Sequence, residues 1–273
     1  MLRAAREELI TDIWQLVSDD HKHRARVFLH RGNLTEARAA WEAAVADDRA
    51  ADNRRDLSDS LGNLGNTCAL MNDYQTAEQC YREVLDIQRV EGNVHAIAHT
   101  LVNLGNLHVG SDRPDKARPY YLEALDLLET LKDYRALGIL HNNLALQESR
   151  EREWETAVES FTRALDYHRM VGNEEGLAVT YSQMGKCFLD QSDLVRAERC
   201  LNNASEHYIK LGNEPAEAAV LRLLGTLYRT KGDLQAAVRC LESVLRIDIT
   251  YNLLELTDDS RALDHLRSLS NPG

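Results

Sequence analysis

Small and apolar residues recur along this chain every 40 positions. From Ala37 the same register holds Ala77, Ala117, Ala157, Ala197 and Ala237. Twelve residues before them stand Ala25, Gly65, Gly105, Ala145, Gly185 and Gly225. Seven after them stand Ala44, Val84, Ala124, Ala164, Ala204 and Val244, and between lies a bulky column of Trp41, Tyr81, Tyr121, Phe161, Leu201 and Leu241.

Each repeat reads as two helices. Leu61, Leu64, Gly65 and Cys68 fall at i, i+3, i+4 and i+7, and Tyr74, Ala77, Tyr81, Val84 and Leu85 follow the same face, which is the signature of a 3.6-residue period. Small residues at Gly65 and Ala77 predict closely approaching backbones, with Tyr81 filling the space beside them. Short capped turns separate the helices. Gly32-Asn33, Asn72-Asp73, Ser192-Asp193 and Gly232-Asp233 supply left-handed and N-cap residues for one turn. Gly92-Asn93, Gly172-Asn173 and Gly212-Asn213 supply them for the other, with Lys132-Asp133 replacing one member and Asn252 closing the series. Pro114 falls where a first-turn proline is tolerated.

The pattern predicts an all-α solenoid of six hairpins near 18–57, 58–97, 98–137, 138–177, 178–217 and 218–252, in one domain without a composition break. The ends depart from it, because an outermost hairpin has an apolar face to cover. Within segment 1–17, residues 3–17 predict an amphipathic helix with Leu9, Ile13, Trp14 and Val17 on its apolar side. It either caps the first repeat or lies in the groove. Within 253–273, residues 253–269 predict a closing helix that packs Leu263 and Leu266 on repeat six, and the last residues, from Ser270, are expected to fray.

These columns resemble the tetratricopeptide pattern, carried by Leu61, Leu64-Gly65, Ala77, Tyr81 and Val84 and by the strings LGNLGN (61–66) and LVNLGN (101–106). The resemblance spans about residues 18–252, with repeats of 40 rather than the usual 34 residues. This long-repeat form is similar to Pins-type polarity adaptors, kinesin light chains and Rap-type bacterial regulators. It implies a right-handed superhelix whose first helices line a groove for a peptide or partner helix. Asn66 and Asn103 match the asparagine positions of the carboxylate clamp found in chaperone partners, but Gly62 stands at its first lysine position. Capture of a free chaperone C-terminus is therefore not expected.

On this reading two columns face the groove: His23, Asn63, Asn103, Asn143, Gln183 and Leu223, and Arg26, Asn66, Asn106, Leu146, Lys186 and Thr226. Carboxamides on consecutive helices suit a peptide main chain, since each offers donors and an acceptor. Alternatively they bond within or between helices, though asparagine gains nothing obvious in mid-helix. The expected binding residues are Arg26, Asn63, Asn66, His99, Asn103, Asn106, Asn143, Arg150, Lys186 and Arg222.

Charge adds to this picture. The chain carries −12, yet the first-helix segments 18–30, 58–70, 98–110, 138–150, 178–190 and 218–230 carry +1, −1, 0, 0, 0 and +2. Lys22, Arg26, Arg150, Lys186, Arg222 and Arg229 supply the positive charge and suggest an acidic partner. An acidic outer face for solubility is the plainer explanation, but it does not by itself place arginine on the other face.

Composition excludes more than it identifies. A net charge of −12 disfavours nucleic acid, whose phosphates need a basic surface. No apolar window approaches the ~20 residues of a membrane span. Acidic residues Glu7, Glu8 and Asp12 stand where a secretory signal would be apolar. Five cysteines, three of them (Cys80, Cys200 and Cys240) in one column, read as packing residues of a cytoplasmic protein. His95 and His99 are four apart but lack a third ligand nearby in sequence, so no metal site is expected. No phosphate loop, dinucleotide fingerprint or nucleophile elbow occurs. The expectation is a non-catalytic scaffold without cofactor, binding a protein or peptide. Two rivals remain: a regulator of a partner's phosphorylation, for which only residues 3–17 stand where Rap-type proteins carry a helical domain, and a scaffold that assembles with itself.

Overall fold

A computed structural model describes residues 20–251 and 256–270 of the chain, and all regular structure among them is α-helix. The first helix of each hairpin is α1 (20–30), α3 (Arg54–Leu70), α5 (Val94–Gly110), α7 (Tyr134–Arg150), α9 (Glu174–Asp190) or α11 (Glu214–Lys231). The second is α2 (Leu34–Ala50), α4 (Tyr74–Glu91), α6 (Pro114–Leu131), α8 (Trp154–Met170), α10 (Leu194–Leu211) or α12 (Leu234–Tyr251), and α13 (Leu256–Ser270) closes the series. Segment 3–17 and residues 271–273 lie outside the described residues.

The turns follow one recipe. Each helix from α1 to α11 stops at a residue in the left-handed region: Gly32, Asn72, Asp112, Arg152, Ser192 and Gly232 after first helices, and Asp52, Gly92, Lys132, Gly172 and Gly212 after second ones. The next amide then reaches back five residues, as Asp73 N does to Cys68 O at 2.9 Å and Asn93 N to Gln88 O at 3.1 Å, which satisfies a carbonyl that the helix end would orphan. The same residue starts the following helix. Asn93 Oδ1 accepts from Ala96 N at 3.1 Å and Asp73 Oδ1 from Thr76 N at 3.2 Å. Because Asn or Asp begins each of α3, α5, α7, α9 and α11, these helices start one turn before the expected segments 58–70, 98–110 and their successors.

The chain forms two compact units, Met1–Lys132 and Asp133–Gly273, where the sequence shows no composition break. In the first, Trp41, Tyr81 and Tyr121 are almost wholly buried beside the fully buried Ala37, Ala77 and Ala117. Burying each aromatic contributes about 1.5–3 kcal/mol. A Cβ on Gly105 would lie 2.2 Å from Tyr121 Cε1, and one on Gly65 2.8 Å from Tyr81 Cε1, so glycine is what lets each ring lie flat against its partner helix. Pro114 opens α6, but Pro119 lies inside the same helix.

The second unit repeats this packing. Ala145, Ala157, Phe161 and Cys187 form one buried cluster. Leu263 and Leu266 of α13 pack with Ala237 and Leu241, as the sequence predicted. The cysteines are unpaired, and burial pushes the Cys80 thiol up to about 12 and the Cys200 thiol up to about 11, where neither forms a nucleophilic thiolate at neutral pH.

Polar pairs are built into the same interfaces. Ser60 Oγ donates to Asp48 Oδ2 at 2.6 Å, and one repeat on Thr100 Oγ1 donates to Gln88 Oε1 at 2.8 Å. These bonds tie α2 to α3 and α4 to α5. Lys22 completes the first pair, its Nζ 3.1 Å from Asp48 and 3.2 Å from Asp56. Burial pulls that ammonium's pKa down, but hydrogen bonds to both carboxylates hold it above the ordinary value.

Candidate functional site

In the first unit a cleft of about 410 Å³ opens between α3 and α5, lined by Asn66, Leu70, Tyr74, Asn103 and Asn106 among others. Tyr81 and Tyr121, the rings that pack on Gly65 and Gly105, also orient its polar groups. Tyr81 Oη donates to Asn66 Oδ1 at 2.6 Å, and Tyr121 Oη donates to Asn106 Oδ1 at 2.7 Å. Each phenol thus fixes the carboxamide of the residue immediately after its glycine. Asn66 and Asn106 are exposed, while Asn63 and Asn103 are half-buried. Asn63 Nδ2 donates to Asp59 O at 2.8 Å, a bond within its own helix. Leu70 adds an apolar surface that is 64% exposed. The cleft therefore offers carboxamides in fixed orientation beside an aliphatic wall, a combination that holds a peptide main chain and one apolar side chain.

The same register in the second unit carries different chemistry. Positions 80 residues beyond Leu70, Asn103 and Asn106 are Arg150, Gln183 and Lys186. Arg150 and Lys186 are exposed, and Ser149 Oγ reaches Cys187 Sγ at 3.3 Å to tie α7 to α9 there. Nearer the start of these helices a second cleft of about 350 Å³ is lined by Ile139, Asn142, Asn143, His168, Val179 and Gln183 among others. His99 shares the register of Ile139 and Val179, is exposed, and lies with its ring centroid 4.6 Å from that of His95.

The charged residues divide into two groups. Arg26, Arg150 and Lys186 are exposed on first helices. Arg222 is anchored inside the protein: its Nη2 lies 2.7 Å from Asp248 Oδ1 and its Nε 2.7 Å from Asp259 Oδ2. Asp248 is fully buried; burial pushes its carboxyl up, and the guanidinium opposes that shift. Lys22 is committed to Asp48 and Asp56 in the corresponding place of the first repeat. Two cations counted as groove charge in the sequence thus balance buried carboxylates, since an unpaired buried charge is costly.

Sequence reasoning missed the buried histidines. His141 is 3% exposed, stacks on Tyr167 at 5.5 Å, and has no hydrogen-bond partner for either ring nitrogen among the described residues. Burial, with the charge of Arg163, lowers its pKa to about 4. His168 is 2% exposed and its pKa is lowered by burial and by Arg135. Both are neutral at pH 7. The signal was present in the register, since His168 shares its column with Leu128 and Tyr208.

Comparison with known proteins bears on the fold. Family models described as Tetratricopeptide repeat match residues 20–90, 97–131 and 176–250. BtubC (BKLC) from P. vanneervenii is similar in structure, with a TM-score of 0.67, 20% identity, and coverage of 90% of this chain and 92% of that one. A signal transduction ATPase (STAND) protein with a tetratricopeptide repeat sensor from Pyrococcus horikoshii gives a TM-score of 0.76 at 12% identity, covering 97% of this chain and 41% of that one. A Rap protein complexed with Competence and Sporulation Factor gives 0.66 at 10% identity, covering 91% and 74%. No curated protein matches the chain in sequence. At these identities the likenesses speak to the fold. No described helix is long and apolar enough to cross a membrane.

Proposed function

Because the chain belongs to the tetratricopeptide repeat family, we propose that it is an interaction scaffold whose first helices hold a peptide segment of a protein partner. The observation that carries this reading is the pair of phenol–carboxamide bonds, Tyr81 to Asn66 and Tyr121 to Asn106, bordering one cleft with Asn103. A carboxamide whose oxygen is held by a phenol has little side-chain freedom left to lose on binding. The exposed Arg26 of the same unit favours acidic side chains on that partner. Asn63 and His99 stand on the first helices of that unit and Asn143 lines the cleft of the second, whereas Arg222 serves the fold.

A comparative capture tests this reading. Wild-type protein and an Asn66→Ala, Asn103→Ala variant are used as baits and the retained proteins are identified by mass spectrometry. A partner held by the wild type and lost by the variant is expected; identical retention by both contradicts the reading. The likeness in fold to aspartyl phosphate phosphatase F from Bacillus subtilis leaves a second reading, a regulator of a partner's phosphorylation. A scaffold leaves the captured partner's phosphate unchanged, whereas such a regulator alters it.

A further inference from the structure

The cleft between α7 and α9 holds two carboxamides whose oxygens find no partner among the described residues. Asn142 on α7 is 7% exposed, and its Oδ1 is buried without a hydrogen-bond partner among the described residues. Gln183 on α9 lines the same cleft, and its Oε1 is in the same condition. Buried acceptors are almost always paired in folded proteins. The cleft is walled by Ile139, 47% exposed, and by Val179. His168 on its floor is neutral at pH 7, and the exposed Arg135 and Glu175 are the charged residues that line it. The interior is therefore uncharged, apolar on its sides and amide-bearing at its base.

We propose that this cleft is a subsite for a neutral primary carboxamide, the side chain of a glutamine or asparagine in the bound peptide. A carboxamide carries donors and an acceptor in one plane, so its NH₂ serves the oxygens of Asn142 and Gln183 while its carbonyl accepts from their N–H groups. That match holds whichever way each protein amide is turned. A carboxylate brings acceptors alone and an ammonium donors alone, and either carries a charge into a cleft with no buried counter-ion. An aliphatic side chain fills the space between Ile139 and Val179 but leaves both amides unmatched. The inference rests on the first helices being the peptide-binding face, and it assigns one side chain of that peptide.

The test is methyl NMR of the full chain, following the Ile139 and Val179 methyls. The probes are acetyl-Gly-Gly-X-Gly-Gly-amide peptides with X as Gln, Glu, Lys or Leu. The Gln peptide is expected to shift both methyls saturably, with Kd about tenfold lower than the other three. Asn142→Leu and Gln183→Met are each expected to abolish that preference while the remaining methyl spectrum is unchanged. Should Asn142→Leu fail to fold, the less buried Gln183→Met carries the comparison. A Leu peptide binding as well as Gln marks a plain apolar pit and overturns the proposal. Tighter binding of Glu, or no saturable shift with Gln, overturns it too. Asn66 and Asn103 do not line this cleft, so the two readings fail separately: loss of Gln preference sinks the subsite, and partner binding indifferent to Asn103 sinks the peptide-binding face.

Discussion

The Tyr121 ring occupies the space that any side chain at Gly105 would need, with a Cβ there placed 2.2 Å from its Cε1. The equivalent glycine in the last repeat is under no such pressure, because a Cβ at Gly225 meets nothing closer than Cys240 Cβ at 3.6 Å. Gly105→Ala is therefore expected to destabilise by about 1–3 kcal/mol. Gly225→Ala should instead stabilise by about 0.5–1 kcal/mol, since glycine is the poorer helix former. Urea denaturation of the two variants measures the contrast, and equal effects would show that the ring does not set the requirement.

Arg222 predicts the cost of leaving a buried carboxylate alone. Asp248 is fully buried beside it, and Asp259 of α13 shares the guanidinium. Arg222→Met should destabilise by about 3–5 kcal/mol. The exposed Arg229→Met should change stability by less than about 0.5 kcal/mol. Thermal unfolding of both variants separates a residue that holds the fold from one that merely adds charge.

The repeat was legible because close helix packing has few solutions. Only glycine fits under the rings at Gly65 and Gly105, a small residue fills the fully buried Ala157, and a large residue fills the gap beside each, so six copies leave a clear register. The turns were legible for a similar reason, since a left-handed residue followed by Asn or Asp has one use. What was not legible were buried polar groups with surface-like identities. Lys22 and Arg222 read as groove charges, yet each shares an interior with an aspartate, Asp48 or Asp248. Asp48, Gln88, His168 and Asp248 stand in one column with Leu128 and Tyr208, and that mixture of apolar and polar members was the available clue. Of the candidate site, the asparagine columns were readable, but the phenols that orient Asn66 and Asn106 were not. Tyr81 and Tyr121 had been accounted for as packing alone.

His141 makes stability depend on pH. Its folded pKa of about 4 lies below the value near 6.5 of an ordinary histidine. The unfolded chain therefore binds a proton between those values that the folded chain refuses. Stability from this residue is intact above pH 6.5, falls as pH drops from 6.5 to 4, and is level below 4. The loss is about 3 kcal/mol. His108 and His168, also lowered mainly by burial, act in the same direction. Urea midpoints of wild type and His141→Phe at pH 7 and pH 4.5 check this, with the variant expected to lose less stability on acidification.

Arg152 ends α7 in the left-handed region, at a φ of 61°. The equivalent positions in the first and last repeats are Gly32 and Gly232. A side chain in that conformation costs about 1–2 kcal/mol, offset in part by the greater freedom of glycine in the unfolded chain. Arg152→Gly is expected to raise stability by about 0.5–1 kcal/mol, and a lowered melting temperature would contradict this account of the turn.

The central claim is that carboxamides between α3 and α5 hold the partner's main chain, and calorimetric titration of the captured partner peptide tests it most directly. Asn103 is half-buried on a helix, so Asn103→Ala together with Asn66→Ala should leave the chain folded. Each lost contact is worth about 1–3 kcal/mol in binding. Affinity should therefore fall by about tenfold or more. It should fall further in added salt, as the exposed charge at Arg26 is screened beyond about 10 Å at 0.1 M. Affinity unchanged in the double variant, or rising with salt, would contradict the account.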